Sequence, residues 1–300
     1  MNLGIFIGKQ KQFGLKKIEF IIMNNIVLGI DIGGTYLKIG RVENGIITNQ
    51  TFNSVDSKAS EEATISSFFE AIDNIISPDV TAIGIGVPAV VDPIAGIVYD
   101  VQNIPSWKEV ALRELVEQRY KLPVYLNNDA NCFALGEKIF GKGRNHENFI
   151  GLTIGTGIGM GIIINNALYN GILCGAGEVG MLPYKDGIIE EYSSSFFFSK
   201  NYHQSAEELS WSASKGNEDA LQAYAEFGLH LGECIKSILY MYAPEAIILG
   251  GSISKSYLLF KESLELSLKS FAYQKQIEDL KIETSNYEGI AILGAASLCM

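Results

Sequence analysis

Asp129 ends the polar run Asn127-Asn128-Asp129, which follows the apolar stretch Pro123–Leu126 and precedes Ala130-Asn131. A carboxylate at the C-terminal end of a strand, opening a helix, sits where α/β folds place ligands. It could take the proton of a substrate hydroxyl as a general base, or serve only as a helix N-cap. Two glycine-rich stretches could hold the group transferred to that hydroxyl. One reads Leu28-Gly29-Ile30-Asp31-Ile32-Gly33-Gly34-Thr35-Tyr36-Leu37-Lys38, the other Leu152-Thr153-Ile154-Gly155-Thr156-Gly157-Ile158-Gly159-Met160-Gly161. Apolar runs on either side of a turn signal read as the two strands of a hairpin. Exposed N–H groups beside a threonine hydroxyl form a cradle for an anion such as phosphate, and glycine lets the anion approach. One copy could be an ordinary tight hairpin. Two copies, with Asp31 and Lys38 flanking the first, point to a nucleotide gripped from both sides.

Further carboxylates follow. Glu178 lies in Gly175-Ala176-Gly177-Glu178-Val179-Gly180, and Glu190 in Gly187-Ile188-Ile189-Glu190-Glu191-Tyr192. Ionised carboxylates only accept hydrogen bonds, so a set aimed at one pocket suits a polyhydroxylated ligand; read singly, each is an ordinary surface residue. Ile247-Ile248-Leu249-Gly250-Gly251-Ser252 ends a strand on two glycines, which could receive a flat adenine ring or make a tight turn. Two motifs are decoys. Gly136–Gly143 approaches a P-loop but lacks the final Ser or Thr and follows a helical stretch. Gly175–Gly180 fits the dinucleotide fingerprint in spacing alone, with no strand entering it.

The elements that must position these residues repeat. Ile26–Ile32, Tyr36–Val42 and Gly45–Phe52 read as successive strands, with an Asn44-Gly45 turn. A helix over Glu61–Ile76, a strand Thr81–Val87, a helix Trp107–Tyr120 and the strand Pro123–Leu126 complete a β-β-β-α-β-α-β unit. After a helix Ala130–Phe140 the order recurs. The strands Asn148–Ile154, Gly159–Ile164 and Ala167–Tyr169 come first, then a helix from Glu218 to about Tyr242. That helix would face inward with Leu221, Ala225, Leu229, Gly232, Ile235 and Leu239. The strand Ala246–Leu249, helix Tyr257–Ser270, strand Leu280–Thr284 and a final helix near Ile292–Leu298 close it. The expected fold is α/β, a duplicated ribonuclease-H-like (actin-type) architecture with two lobes around a nucleotide cleft. Its parts are an extension over 1–22 outside the fold, a small N-terminal lobe over 23–129, a larger C-terminal lobe over 130–290, and a final helix over 291–300 packing back on the N-terminal lobe.

Composition narrows the partners. A net charge of −11 disfavours nucleic acid and anionic membranes, which reward a basic face. Cys132, Cys174, Cys234 and Cys299 form no C-x-x-C pair, which reads as buried free thiols in a reducing cytoplasm rather than a disulfide framework. His146, His203 and His230 have no ligand spacing. No apolar run is long enough for a transmembrane helix. Met23 directly precedes the first strand and is the expected start.

Leu28–Lys38, Asn127–Asn131, Leu152–Gly161, Gly175–Gly180 and Ala246–Ser252 together resemble the ROK family, in its order, from about Asn25 to the C-terminus. That family comprises bacterial repressors, uncharacterised reading frames and sugar kinases. The resemblance implies a cytoplasmic, ATP-dependent phosphorylation of a hexose hydroxyl, usually at carbon 6. It makes Asp129 the catalytic base and gives Asn103, Asn128, Glu178 and Glu190 to the sugar. Gly33, Gly34, Thr35, Gly155, Thr156 and Gly157 would hold the phosphates, with Lys38 in support. Asp31 would orient hydrated Mg2+, and Gly250 and Gly251 would meet the adenosine. A homodimer is expected on the same ground.

The chain departs from the family pattern where a histidine and a cysteine cluster normally bind structural zinc. Met181 stands at the histidine position, and Met181–Tyr192 contains neither cysteine nor histidine, while Glu190 and Tyr192 persist. Ala89 replaces a common glycine beside Pro88. A zinc-free member is expected, its sugar loop braced by packing around Phe196-Phe197-Phe198. Glucose or a close relative is the expected acceptor, with N-acetylmannosamine, N-acetylglucosamine and β-glucosides as alternatives. A sugar-responsive DNA-binding repressor is a remote alternative, since 1–22 is too short for a winged-helix domain. Glu190→Ala is expected to raise the KM for sugar far more than that for ATP, on the premise that Glu190 touches only the sugar.

Overall fold

The computed structural model describes residues 25–33 and 36–300. The expected extension 1–22 and start at Met23 lie outside the described residues, as do Gly34 and Thr35. The chain divides into two compact units, one running to Cys132 and including Gly289–Met300, the other Phe133–Glu288.

In the first unit β1 (Ile26–Ile32), β2 (Tyr36–Glu43) and β3 (Ile46–Ser54) form an antiparallel meander. Asn44 and Gly45, at φ 51° and 75°, give the left-handed turn that matches strand twist. β4 (Ala82–Val87) pairs parallel with β1 and is buried throughout, as an interior parallel strand must be. Three short strands, β5 (Val90–Asp92), β6 (Ile97–Tyr99) and β7 (Glu109–Val110), make a separate antiparallel sheet, and β8 (Val124–Asn128) joins β4 in parallel. The main order is β3-β2-β1-β4-β8. The helix Glu61–Asp73, capped by Ser60, buries Phe68, Ala71 and Ile72. The helix expected from Trp107 begins only at Leu112. Trp107 is instead buried in the preceding loop, its indole N–H donating to Thr64 Oγ1 at 2.7 Å, so its apolarity reflects a tertiary contact.

In the second unit β9 (Phe149–Ile154), β10 (Ile158–Ile164) and β11 (Ala167–Leu168) form the second meander. A small hairpin, β12 (Pro183–Tyr184) and β13 (Gly187–Ile188), follows. β14 (Ala246–Gly250) then pairs parallel with β9, and β15 (Lys281–Thr284) with β14. The order β11-β10-β9-β14-β15 repeats the first sheet strand by strand. The helix Glu218–Tyr242 packs on Tyr257–Leu268 and buries Tyr224, Phe227, Leu231, Ile235 and Ile238. Leu221 and Leu229, expected on its inner face, are exposed. The heavier aromatic stripe Tyr224–Phe227 sets the rotation of the helix, meeting Phe198 and Phe260.

The unit boundary expected after 129 falls after 132, and the later one after 288 rather than 290. Cys132, one turn into the helix Asp129–Ile139, packs under Gly86 of β4 and so belongs with the first sheet. The final helix, Ile290–Ala296, lies on β1 and β4. Among the described residues no helix is long and apolar enough to cross a membrane.

Candidate functional site

Parallel register places the first unit's polar residues along one edge. Asp31 of β1 stands opposite Gly86 of β4, and Gly86 opposite Asn127 of β8, with Val87 beside Asn128. Adjacent strands lie about 4.8 Å apart, so Asp31 and Asn127 share a row two strand spacings wide at the C-terminal ends of their strands. Asp31 is only 7% exposed. Burial pushes its carboxyl above the ordinary range, and Lys38, its cross-strand partner with Nζ at 3.3 Å, works against that shift. Gly33 donates its N–H to the Tyr36 carbonyl at 2.9 Å, closing the first hairpin.

Asn128, not Asp129, caps the following helix. Its Oδ1 accepts the N–H groups of Ala130 at 2.9 Å and Asn131 at 3.3 Å. Asp129 is the first residue of that helix, partly exposed, with Oδ1 accepting the Ala130 N–H at 2.9 Å. The Asn128 amide donates to the Ala89 carbonyl at 3.4 Å, and the Gln102 N–H to the Pro88 carbonyl at 3.3 Å. The Pro88–Ala89 turn thus ties the half-buried Asn103 loop to Asn128. That loop is anchored by buried Val101, Ile104 and Trp107.

The second unit builds a carboxylate pair against its glycine-rich hairpin. The Gly155 N–H donates to the Gly157 carbonyl at 2.9 Å. Glu190, in the short helix Ile189–Ser193, accepts the Ile158 N–H on Oε2 at 2.9 Å. A Cβ on Gly157 would collide with the same carboxylate. Glu190 thus braces the hairpin, so the premise that a sugar would be its sole contact does not hold. Glu178 is exposed as a residue, yet neighbouring protein first, and the charge of Glu190 second, raise its carboxyl above the ordinary value. Gly250 is buried, the space for a side chain being filled by the Phe133 ring. Gly251 is exposed at φ 82°, where a side chain would strike the Ile154 carbonyl.

Both decoys are structural. Gly136 lies within the helix Asp129–Ile139 and Gly143 in a 3-10 turn, packed on Phe149. Gly175–Gly180 runs from one short 3-10 turn into the next, Val179–Met181, with no strand leading into it.

In the departing segment Met181 is 55% exposed, and the β12–β13 hairpin is fixed by aromatic groups. The Tyr184 hydroxyl hydrogen-bonds His230 Nδ1 at 3.0 Å, and the Tyr192 hydroxyl donates to Asp186. The Tyr184 and Tyr192 rings lie 5.2 Å apart, and His230 lies 5.1 Å from Tyr192 and 5.4 Å from Phe197. Phe197 and Phe198 are buried, whereas Phe196 is exposed. Burial and the nearby Lys185 lower the pKa of His230, keeping the neutral ring that such a core prefers. The segment's carboxylates are engaged: Asp186 by Tyr192, Glu190 by the Ile158 amide, Glu191 by Lys200 at 3.0 Å. This donor set does not fit a zinc ion, which favours thiolate and imidazole ligands in tetrahedral array. His230 and Tyr184, which do the bracing, carried no signal in sequence.

The profile of the ROK family matches residues 27–300. The xylose repressor of Bacillus subtilis strain 168 is 30% identical over 295 residues, 90% of this chain and 76% of that protein. The glucokinase of Thermotoga maritima is 28% identical over 308 residues, 91% of this chain and 96% of that protein. A ROK family glucokinase from Streptomyces griseus, crystallised with glucose and AMPPNP, is 26% identical with a TM-score of 0.81, covering 91% of this chain and 99% of that one.

Proposed function

The chain belongs to the ROK family and has its actin-like two-lobe fold, and from that premise we propose that it is an ATP-dependent sugar kinase acting on a hexose hydroxyl, with the 6-OH of glucose as first candidate. The observation that carries this is the Asn128-capped helix, which opens on Asp129 in the sheet edge shared with Asp31. Asp129 accepts the proton of the sugar hydroxyl, the freed oxygen attacks the γ-phosphorus, and ADP leaves. Asn103, Asn128, Glu178 and Glu190 bind the sugar. Gly33, Gly34, Thr35, Gly155, Thr156 and Gly157 bind phosphate, with Lys38 beside Asp31 and Gly251 under the adenosine. Asp31, a single buried carboxylate beside Lys38, would hold magnesium through water, and the ion would supply charge neutralisation to the phosphates.

A second reading, a sugar-responsive regulator, is favoured by the identity with the xylose repressor. A coupled ADP-release assay over glucose, mannose, N-acetylmannosamine, N-acetylglucosamine, xylose and β-glucosides separates the two. ATP-dependent turnover of at least one is expected; sugar binding without turnover would favour the regulator.

Glu178 gives the pH dependence a sign. Its carboxyl is raised from 4.5, so it is charged above its folded pKa and loses acceptor capacity as pH falls through it. The kcat/KM for sugar should therefore fall on the acid side at a pH above the ordinary glutamate range. Glu178→Gln should raise the sugar KM about tenfold and move that limb to lower pH. An unmoved limb would assign the titration to another group. Elemental analysis of the purified protein is expected to find no stoichiometric zinc.

A further inference from the structure

The strip from Glu190 to Ser195 touches the Gly155–Ile158 hairpin at three peptide groups. Glu190 Oε2 accepts the Ile158 N–H at 2.9 Å. The Ser195 N–H donates to the Gly155 carbonyl at 2.9 Å, and the Ser195 hydroxyl to the Thr156 carbonyl at 3.2 Å. The strip itself is firmly seated. Ile189, Ser193 and Ser194 are buried, and Ser194 caps the next helix by accepting the Phe196 N–H at 3.3 Å. Gly157 lacks the side chain that would keep the carboxylate off the hairpin. A carboxylate–amide bond of this kind is charge-assisted and orients both partners.

We propose that Glu190 serves both substrates, Oε2 holding the hairpin that receives phosphate and Oε1 accepting a sugar hydroxyl, so that sugar and nucleotide affinities are coupled through the Gly155–Ile158 backbone. Ser195 is a positioning residue for the same hairpin. The proposal rests on the sugar-kinase reading. A sugar hydroxyl donating to Oε1 fixes the carboxylate plane, and with it the direction of the Ile158 N–H and the peptide groups before it. Without sugar, the carboxylate keeps its Ile158 tie but lacks the second partner that fixes its plane. Coupling of this kind is reciprocal: whatever factor the sugar contributes to nucleotide affinity, the nucleotide contributes to sugar affinity.

The test uses the full chain, with AMPPNP binding measured by calorimetry with and without saturating glucose, or the hexose that the assay panel identifies. In the unaltered protein the AMPPNP Kd is expected to fall about fivefold or more when sugar is present. Ser195→Ala should weaken AMPPNP binding about 2- to 10-fold with the sugar KM within twofold of the original, and Ser195→Thr should restore it. Glu190→Gln keeps an oxygen for the Ile158 N–H, so it should raise the sugar KM while retaining AMPPNP affinity. Glu190→Ala should weaken both ligands and bring the coupling factor toward one. If Glu190→Ala raised only the sugar KM, leaving AMPPNP affinity and the coupling factor unchanged, the proposal would be overturned with the kinase reading intact. Should Glu190→Ala fail to fold, Glu190→Gln decides by its coupling factor, the ratio of AMPPNP Kd without and with saturating sugar: a fall toward one is expected, and a factor equal to that of the unaltered protein would overturn the coupling. An unaltered protein that phosphorylates no sugar in the panel would overturn the kinase reading as well.

Discussion

Asp129→Asn is expected to cut turnover by at least about a hundredfold while leaving sugar affinity within a few-fold of the original. A positioned general base contributes ~10²–10⁴-fold, and a hundredfold corresponds to about 2.7 kcal/mol of barrier. The substitution is close to isosteric and keeps an acceptor oxygen in the first turn of the helix. Asparagine retains an Oδ1 to accept the Ala130 N–H, now held at 2.9 Å. The helix keeps its real cap, Asn128, whose Oδ1 takes the N–H groups of Ala130 and Asn131. What disappears is the ability to accept a proton. Steady-state kinetics with parallel calorimetry of sugar binding measures both quantities. Unchanged turnover would remove Asp129 from the role; lost sugar binding with proportionate loss of turnover would make it a binding residue alone.

Much of this arrangement was legible from local pattern. The two meanders follow from apolar runs around Asn-Gly and Asn-Asn turns, and Asn44, Asn165 and Asn166 all adopt the positive φ those turns require. Parallel pairing of β1, β4 and β8 then places Asp31 and Asn127 in one row without further information. The rest depends on partners distant in sequence. Glu190 and Ile158 are 32 residues apart, and Tyr184 and His230 are 46 apart, so neither contact leaves a local trace. β5, β6 and β7 hold two or three residues each, too few for periodicity, and exist because they pair with one another. Leu221 and Leu229 satisfied helical spacing but lost the inner face to bulkier aromatic neighbours.

Gly84→Ala is expected to be the most destabilising single-methyl addition in the first unit, and its cause is also invisible to local pattern. Gly40, Gly29 and Gly84 stand opposite one another on β2, β1 and β4. This row of three residues without side chains is the seat of the final helix. A Cβ at Gly84 would overlap the Ala295 carbonyl oxygen, and one at Gly29 the Ile292 carbonyl oxygen. At Gly40 it would meet the Cγ2 methyl of Ile292. A backbone carbonyl inside a helix cannot swing aside as a side-chain tip can. The helix must lift instead, opening space beneath Ile292, Leu293, Ala295 and Ala296, all buried. Overpacking that displaces backbone costs typically 1–3 kcal/mol, and about 3 kcal/mol is expected here. For a chain of this size that lowers the melting temperature by about 6–12 °C. Gly40→Ala, opposed by methyl groups of Ile292 and Ile47 rather than by backbone, should cost about 1 kcal/mol. Thermal melts of the two variants side by side test the ordering. Gly84 lies two residues before Gly86, which packs against Asp129 and Cys132. Activity of Gly84→Ala should therefore fall with the folded fraction, leaving the ratio of sugar KM to ATP KM unchanged. A Gly84→Ala protein that melts like the original would mean that the helix 290–296 does not press on this row.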